Sequence, residues 1–390
     1  MEREKAIKYM HDLMRVVVQR GGSDLFITVG VPPAAKIDGQ VVHLTDQPLQ
    51  QQHTQALVRA MMNDHQSAEF ERSMEVNFAV SLPGVSRFRV NAFTQRGSVG
   101  MVLRIIQTNI PKFEDISMPP ILEKITMEKR GLVIFVGATG SGKSTSLAAM
   151  IGYRNAKAQD HIVTIEDPIE FVHHHDRSIV TQREVGVDTA DYEIALKNTL
   201  RQAPDVILIG EIRDRETMGY AVAFAETGHL CLSTLHANST NQALDRIINF
   251  FPEDRRPQLL MDLSLNLKAI VSQRLVRRED DQGRVPAVEV LINTPLMADL
   301  VLKGAVGDMK DLMKRSREQG MQTFDQSLFD LYEDGLISFT EAIRNADSQN
   351  DLRLRIKLDS ERARSEKEPG VYAEDRRLSV REDEDPQRFR

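Results

Sequence analysis

Apolar residues recur every three or four positions over residues 4–20, which predicts an amphipathic helix. Gly21 and Gly22 then end the helical pattern, and residues 24–29 have the composition of a strand. A second helical pattern covers residues 50–62. Four further runs alternate apolar and polar positions as strands do, namely 35–37, 76–80, 86–93 and 99–106. We therefore expect an antiparallel sheet with flanking helices at the N-terminal end of the chain.

The pattern changes after residues 110–120, where three prolines and little periodicity indicate a linker. Helical stretches at 189–202 and 215–226 then separate short apolar runs at 131–136, 161–165, 205–209 and 229–235. This alternation predicts a parallel α/β sheet that binds its ligand at the carboxyl ends of the strands.

Helical patterns fill the rest of the chain at 240–275 and 305–345, with one more predicted strand at 287–292. The last stretch, 359–390, has 18 charged residues among 32. We expect this tail to be disordered or to bind a partner.

Composition narrows the possible functions. The 390 residues suggest two or three domains, and the net charge of −7 gives no electrostatic footprint for nucleic acid, so no nucleic-acid partner is expected. A single cysteine, Cys231, allows neither a disulfide framework nor a four-cysteine zinc site within one chain. The chain has no signal-peptide pattern and no run of about 18 apolar residues, so we expect a cytoplasmic protein without direct membrane insertion.

A phosphate-binding loop follows the apolar run at 131–136. Gly137, Gly142, Lys143 and Ser144 have the spacing of this loop, with a helix-forming run after it. The backbone can curl around an anion, Lys143 can reach the terminal phosphates, and the Ser144 hydroxyl can bind Mg²⁺. We predict that the loop binds ATP or GTP, together with its remaining residues Thr139, Gly140, Ser141 and Thr145.

Acidic residues follow two of the predicted strands. Glu166, Asp167 and Glu170 come after 161–165, and Glu170 is our candidate for the base that orients the attacking water. The alternative is a solvated acidic turn. Glu211 follows 205–209, and Gly210 stands where nucleotide sites of this kind usually carry an aspartate. Mg²⁺ would then depend on Ser144, water and Glu211.

Two histidines mark the ends of the apolar run at 229–235. A strand of this length spans roughly 20 Å, so His229 and His236 cannot share a metal ion. We expect His229 near the γ-phosphate and His236 near a subunit boundary, and an ordinary core histidine is the alternative reading of His229. The run at 173–175 is more typical of a solvated loop.

Four arginines, Arg87, Arg89, Arg96 and Arg104, lie in the block of strands at 86–106. Alternation places half of them on one face of a strand, which is usually a solvated face. In a ring of subunits they could instead reach a neighbour's γ-phosphate and neutralise charge in the transition state.

The motifs GATGSGKST, TIEDPIEF, ILIGEIRD and TGHLCLSTLHANS resemble, in this order and spacing, those of the secretion ATPases, and among them the type IV pilus retraction ATPases of the PilT/PilU branch. The resemblance covers residues 1–357. It implies a PAS-like α+β domain at 1–110, a linker at 111–120 and a RecA-like ATPase domain with a helical C-terminal part at 121–358. It also implies a homohexamer that uses ATP and Mg²⁺ at sites between subunits.

The same resemblance implies roles for single residues. Lys143 and Ser144 would bind phosphate and Mg²⁺, Glu170 would be the catalytic glutamate, and Glu211 would act in the second motif. His229 and His236 would form the histidine motif, and Arg89 and Arg104 would be the arginines that act in trans.

One departure separates this chain from the retraction motors themselves. Where those motors carry a helix with two arginines, residues 296–303 contain none. The chain therefore resembles the accessory, PilU-like members, which would act with a PilT-like ATPase and an inner-membrane platform protein at the cytoplasmic face of the inner membrane. The alternative is a nucleotide-dependent adaptor of that motor with little hydrolysis of its own. An assembly ATPase would need a four-cysteine zinc insertion, and a DNA-translocating motor would need a basic, aromatic surface.

Overall fold

The computed structural model describes residues 2–366. The helices in chain order are α1 (Arg3–Gln19), α2 (Gln51–Met61), α3 (Asp64–Ser73), α4 (Ile121–Thr126), α5 (Lys143–Lys157), α6 (Tyr192–Thr199), α7 (Arg215–Glu226), α8 (Thr240–Asn249), α9 (Arg256–Asn266), α10 (Pro295–Lys303), α11 (Val306–Arg315), α12 (Phe324–Glu333), α13 (Phe339–Asn345), α14 (Gln349–Asp359) and α15 (Glu361–Glu366). The strands are β1 (Asp24–Ile27), β2 (Ala34–Ile37), β3 (Gln40–His43), β4 (Glu75–Leu82), β5 (Ser86–Gln95), β6 (Ser98–Ile105), β7 (Gly131–Val136), β8 (His161–Glu166), β9 (Ile179–Glu184), β10 (Val206–Ile209), β11 (Leu230–Leu235), β12 (Leu267–Arg277) and β13 (Arg284–Ile292).

The chain divides into two compact units that are each discontinuous in sequence. The first contains residues up to Pro111 together with Ile151–Glu211, and the second contains Lys112–Met150 and the chain from Ile212 onward. The first boundary falls at the start of the predicted linker, but the grouping of 151–211 with the N-terminal residues does not follow from the sequence pattern. The linker stretch itself contains a short 3-10 helix flanked by buried Phe113 and Met118.

The N-terminal part of the first unit is a six-stranded antiparallel sheet in the order β3-β2-β1-β6-β5-β4. Helices α1 and α2 pack together, and α2 also packs on β6. The apolar stripe of α1 is buried, and Leu25, Phe78, Phe88 and Leu103 from the strands complete the core beneath it. The predicted antiparallel sheet with flanking helices is confirmed, and α3 and β3 are additions to it.

The remainder of the first unit has three parallel strands in the order β10-β8-β9. Val206 to Ile209 pair in register with Ile162 to Ile165, so both strands end at the same edge. The strands β8 and β10 and the helix α6 were expected from the sequence, whereas β9 was not. Its exposed first residue, Ile179, and its polar centre, Thr181 and Gln182, give little apolar alternation.

In the second unit the strands are ordered β13-β12-β7-β11. The strands β11, β7 and β12 are parallel, and β13 runs antiparallel to β12. The prediction of helix throughout 240–275 is wrong for 267–275, because those residues form β12. That strand is buried from Ala269 to Gln273 without a break, so its residues show no period of two.

The C-terminal helices of the second unit close a separate apolar core against β12 and β13. Phe324, Leu328, Tyr332 and Ile356 are buried in it. The ordered helical part extends past the predicted end at residue 358, because α15 continues to Glu366 and buries Ala363. Disorder was therefore wrongly predicted for 359–366, and residues 367–390 of the predicted tail lie outside the described residues.

No helix in the described part of the chain has both the length and the apolar character needed to cross a membrane.

Candidate nucleotide-binding site

The loop between β7 and α5 has a backbone shape that only glycine permits at two positions. Gly137 and Gly142 have φ of +154° and +91°. A Cβ on Gly137 would lie 2.4 Å from Ser141 Oγ and 2.6 Å from the carbonyl oxygen of Gln273, and one on Gly142 would lie 2.7 Å from Gln273 Nε2. At Gly137 an added Cβ would collide with a backbone oxygen, and at Gly142 the positive φ favours glycine, so the loop can hold the curled shape that presents backbone N–H groups to an anion.

Lys143 is folded back into the loop that precedes it. Its Nζ donates to the carbonyl oxygens of Gly137, at 2.8 Å, and Ala138, at 3.0 Å, and the residue is only 8% exposed. Ser141 Oγ is buried nearby without a hydrogen-bond partner among the described residues. A buried cation beside an unsatisfied hydroxyl is an environment that suits phosphate oxygens, so the residues present fit a nucleoside triphosphate.

The remaining loop residues lie at the mouth of two adjoining clefts. Thr139 and Gly140 line a cleft of about 510 Å³ together with Asn238, Arg274 and Arg284. Thr145, at the start of α5, lines a smaller cleft of about 200 Å³ with Met118, Arg278 and Pro286. Ser144 is half-buried in the first turn of α5.

Gln273 belongs to both clefts and was missed by the sequence reasoning. Ser272 pairs with Val136 in the β12–β7 register, so Gln273 lies beside Gly137. Its Oε1 accepts a hydrogen bond of 2.8 Å from Ser146 Oγ. This bond links strand β12, beside the glycine loop, to helix α5. The available signal was the polar pair Ser272 and Gln273 within an apolar run, but the run had been assigned to a helix.

The acidic turn after β8 belongs to the first unit. Glu166 is half-buried, and its Oε1 accepts hydrogen bonds from Thr164 Oγ1, at 2.6 Å, and Gln182 Nε2, at 3.2 Å. Burial raises the pKa of Glu166 to about 7, and the charges of Glu170 and Glu184 add to the increase against the two hydrogen bonds. Glu170 itself is exposed.

Gly210 follows β10 in a position where the chain has no space for a side chain. A Cβ would lie 2.9 Å from Tyr192 Oη, 3.1 Å from the Cα of Glu166 and 3.2 Å from the carbonyl oxygen of Ile165. A side chain at this position would require these neighbours to shift, and Gly210 N donates to the carbonyl oxygen of Ile165 at 2.8 Å. Glu211, the next residue, is half-buried at the same edge.

His229 and the glycine loop lie at opposite ends of the paired strands β11 and β7. It directly precedes β11, its carbonyl oxygen accepts from Gly131 N, and its Nδ1 lies 3.2 Å from the carbonyl oxygen of Phe224. Leu235 pairs with Val136, so His236 is the histidine that stands at the edge where the glycine loop begins. A whole strand, about 20 Å, separates His229 from the glycine loop of its own chain, and the expected position of His229 near a γ-phosphate stays a prediction.

Arg89 and Arg104 are paired across β5 and β6. Arg89 Nη2 donates to the carbonyl oxygen of Ile169, at 3.0 Å, and its Nε lies 3.5 Å from Glu184 Oε1. Arg89 thus contacts the residue next to Glu170 in the same chain. The Arg104 side chain is 68% exposed and donates from Nε to Asp24 Oδ1 at 2.8 Å. Of the two arginines, Arg104 is the one whose side chain is exposed enough to contact a neighbouring subunit.

The glycine loop, its folded-back lysine and the parallel strands around it define a P-loop nucleotide-binding protein. A sequence profile of the family described as "Type II/IV secretion system protein" matches residues 2–344. The type IV pilus ATPase PilU of Pseudomonas aeruginosa is 63% identical over 349 residues, which are 90% of this chain and 91% of that protein. The type IV pilus retraction ATPase PilT of the same organism is 41% identical over 86% of this chain and 97% of that protein.

A solved structure of the pilus retraction motor PilT with bound ADP superposes with a TM-score of 0.80 at 39% identity, covering 87% of this chain and 98% of that one. The chain therefore belongs to the Type II/IV secretion system protein family, in the PilT/PilU branch of type IV pilus ATPases.

Proposed function

We propose that this chain hydrolyses ATP at sites between the subunits of a homohexamer and helps to power type IV pilus retraction and twitching motility. The observation that carries the proposal is the glycine loop closed around Lys143, with the buried hydroxyl of Ser141 beside it. The chain is 63% identical to PilU, and the related PilT structure contains bound ADP; both support a nucleotide as the ligand.

Each part of the site has a separate task in this proposal. The loop amides and Lys143 bind the phosphates, and Ser144 ligates Mg²⁺, which when bound neutralises charge on the phosphate oxygens. Glu170 orients the attacking water. Glu211, which follows Gly210 at the end of β10, assists Glu170 in orienting this water. Arg104, with Arg89 as the second candidate, supplies positive charge from a neighbouring subunit.

The domain organisation we propose is a PAS-like domain at 1–110, a linker at 111–120 and a RecA-like ATPase domain at 121–358. The antiparallel sheet with helices packed on it supports the first assignment, and the P-loop after a parallel strand supports the last. The protein would act at the cytoplasmic face of the inner membrane with a platform protein of the pilus machine.

An accessory role, dependent on a PilT-like motor, is favoured by helix α10. Retraction motors have two arginines in this helix according to the resemblance, and here residues 296–303 contain none, while Lys303 pairs with Asp299 at 2.6 Å. The second candidate function, a nucleotide-dependent adaptor with little hydrolysis, rests on the same observation.

Phosphate release at saturating ATP tests both functions. We expect turnover by the wild type, a loss of about 100-fold or more in Glu170→Gln with ATP still bound, and loss of ATP binding in Lys143→Ala. Glu318→Gln, at an exposed carboxylate on the surface of the second unit, is the matched control and should behave as wild type. Wild-type turnover no higher than that of Glu170→Gln, with ATP bound, would favour the adaptor. Absence of ATP binding by the wild type would refute both functions.

A further inference from the structure

Strand β12 brings a second side chain to the wall of the phosphate cleft, directly after Gln273. Arg274 lines the cleft of about 510 Å³ with Gly137, Ser141 and Arg284, and its side chain is 29% exposed. The same guanidinium extends into the C-terminal helical part of the second unit. It is therefore a single cation with one side toward the nucleotide cleft and the other toward the helices.

The contacts of Arg274 on the helical side are specific. Its Nη2 lies 2.8 Å from Asp347 Oδ1 and donates to the carbonyl oxygen of Asn238 at 3.1 Å. Nη1 donates to the carbonyl oxygen of Asn345 at 2.9 Å. The guanidinium carbon lies 3.8 Å above the centre of the Phe324 ring. A planar fork held by three oxygens and an aromatic face has one defined orientation.

Asp347 connects this arginine to helix α11. Its second carboxylate oxygen, Oδ2, binds Lys310 of α11, and its backbone N–H donates to Asp325 Oδ1 at 2.8 Å. Burial opposes ionisation of Asp347, but the hydrogen bonds and charges of Lys310 and Arg274 outweigh it and lower its pKa. The carboxylate is thus shared between one cation at the cleft and one on the helix.

Helix α11 is in turn linked to surface features of the unit. The carbonyl oxygen of Val306 accepts from Asn241 Nδ2 at 2.9 Å, which ties the start of α11 to α8. Helix α10, immediately before it, packs against α11 and carries two exposed leucines, Leu296 at 68% and Leu302 at 44%. A change in the position of α11 would therefore move an apolar surface.

We propose that Arg274 is the positioning residue that couples the phosphate cleft to helix α11. A triphosphate in the cleft offers the guanidinium a second anion, which competes with Asp347. Weakening the Arg274–Asp347 pair leaves Lys310 as the main partner of the carboxylate, and α11 with the loop at 345–348 takes a new position. This coupling rests on the proposed function, since it requires that the cleft binds a nucleotide.

Amide hydrogen exchange of the full chain, with and without Mg²⁺ and a non-hydrolysable ATP analogue, tests the coupling. In the wild type we expect the analogue to change exchange in 306–315 and 345–348 by about fivefold or more. Arg274→Gln loses one contact with the triphosphate and should bind the analogue more weakly, so exchange is measured at the concentration that calorimetry shows to saturate this variant. At saturation the variant should lack the response. Arg277→Gln is the matched control, because Arg277 lies on the same strand, is 68% exposed and forms an ion pair with Asp281, four residues further along the chain.

Two results would overturn the coupling and leave nucleotide binding intact: a wild type that binds the analogue without any exchange response at α11, or Arg274→Gln that keeps the response. A wild type that binds no analogue at millimolar concentration would instead refute the proposed function and the coupling with it. Circular dichroism checks folding. Should Arg274→Gln fail to fold, Lys310→Gln tests the other end of the bridge, since it cuts the link from Asp347 to α11 and must lose the response at 306–315, and a retained response there would count against the coupling.

Discussion

Gly210 is a residue without a side chain at a crowded position beside the acidic turn. Three atoms from α6, β8 and the backbone of Glu166 close on the space that its Cβ would need. The parallel register of β10 and β8 brings Glu166 and Glu211 to the same edge, with Gly210 between the end of β10 and Glu211.

Replacing Gly210 by alanine should destabilise the protein by about 1–3 kcal/mol, because the new methyl group has to displace backbone atoms of Glu166 and Ile165. Chemical denaturation monitored by circular dichroism measures the change. Gly219→Ala is the control within α7, where no atom lies within 4 Å of the added carbon. It should stabilise the helix by about 0.5–1 kcal/mol. Equal effects of the two substitutions would contradict the packing argument.

Glu166 makes the stability of the protein depend on pH. Its pKa is raised from 4.5 to about 7 in the folded chain, so the folded state binds more protons than the unfolded state between these values. Its contribution is fully present below pH 4.5 and is lost as the pH rises to about 7. Glu166→Gln should therefore gain stability over the wild type across this window, by up to about 3 kcal/mol above pH 7. Denaturation midpoints at pH 5 and pH 8 test this, and a difference that does not grow with pH would exclude it.

At the residue scale, the sequence predicts contacts that are local and misses those that are distant. The loop residues from Gly137 to Thr145 can be recognised because their chemistry lies within one short segment. Gln273 and Arg274 could not be recognised, because only the pairing of β12 with β7 brings them to that loop. The position of His229 has the same origin, since a motif does not say which end of its strand lies beside the glycine loop.

At the scale of elements, periodicity is sufficient where one face of a helix or strand is solvated. The stripe of α1 and the alternation of β5 and β6 were read correctly for this reason. Strands buried on both sides lack alternation, and β12 was misread as helix. In β9 the polar residues serve the acidic turn instead, since Gln182 binds both Glu166 and the carbonyl oxygen of Phe171.

Helix α15 should contribute measurably to the C-terminal core. Arg362 donates to both carboxylate oxygens of Glu279, at 2.8 and 2.9 Å, and Ala363 is fully buried. A chain that ends after Leu358 should therefore lose roughly 1–3 kcal/mol of stability. A chain that ends after Glu366 is the matched control and should keep the wild-type melting curve and ATP turnover. The same melting curve for both truncations would show that α15 adds nothing.

For the whole molecule, the decisive question is whether an arginine acts between subunits. Arg104→Ala and Lys143→Ala should each abolish turnover alone. In mixed rings of the proposed hexamer, about a quarter of the interfaces pair an intact Lys143 of one subunit with an intact Arg104 of its neighbour, so activity should return to a comparable fraction. Steady-state phosphate release after co-refolding or co-expression measures it. If activity does not recover in mixed rings, Arg104 acts within its own chain, where it forms an ion pair with the buried Asp24.

Strand β12 also limits how this chain can change during evolution. Its first half lies beside β7 and under the glycine loop, while Val276 near its end is buried in the C-terminal helical core. One residue inserted between Ser272 and Val276 would turn every later side chain to the opposite face. The structural position of Val276 in the helical core would then be filled by the residue that precedes it in the chain, Val276 would move to the position of Arg277, and the pairing with β13 would slip as well. Homologous genes should accordingly vary by substitution within this strand and keep its length constant.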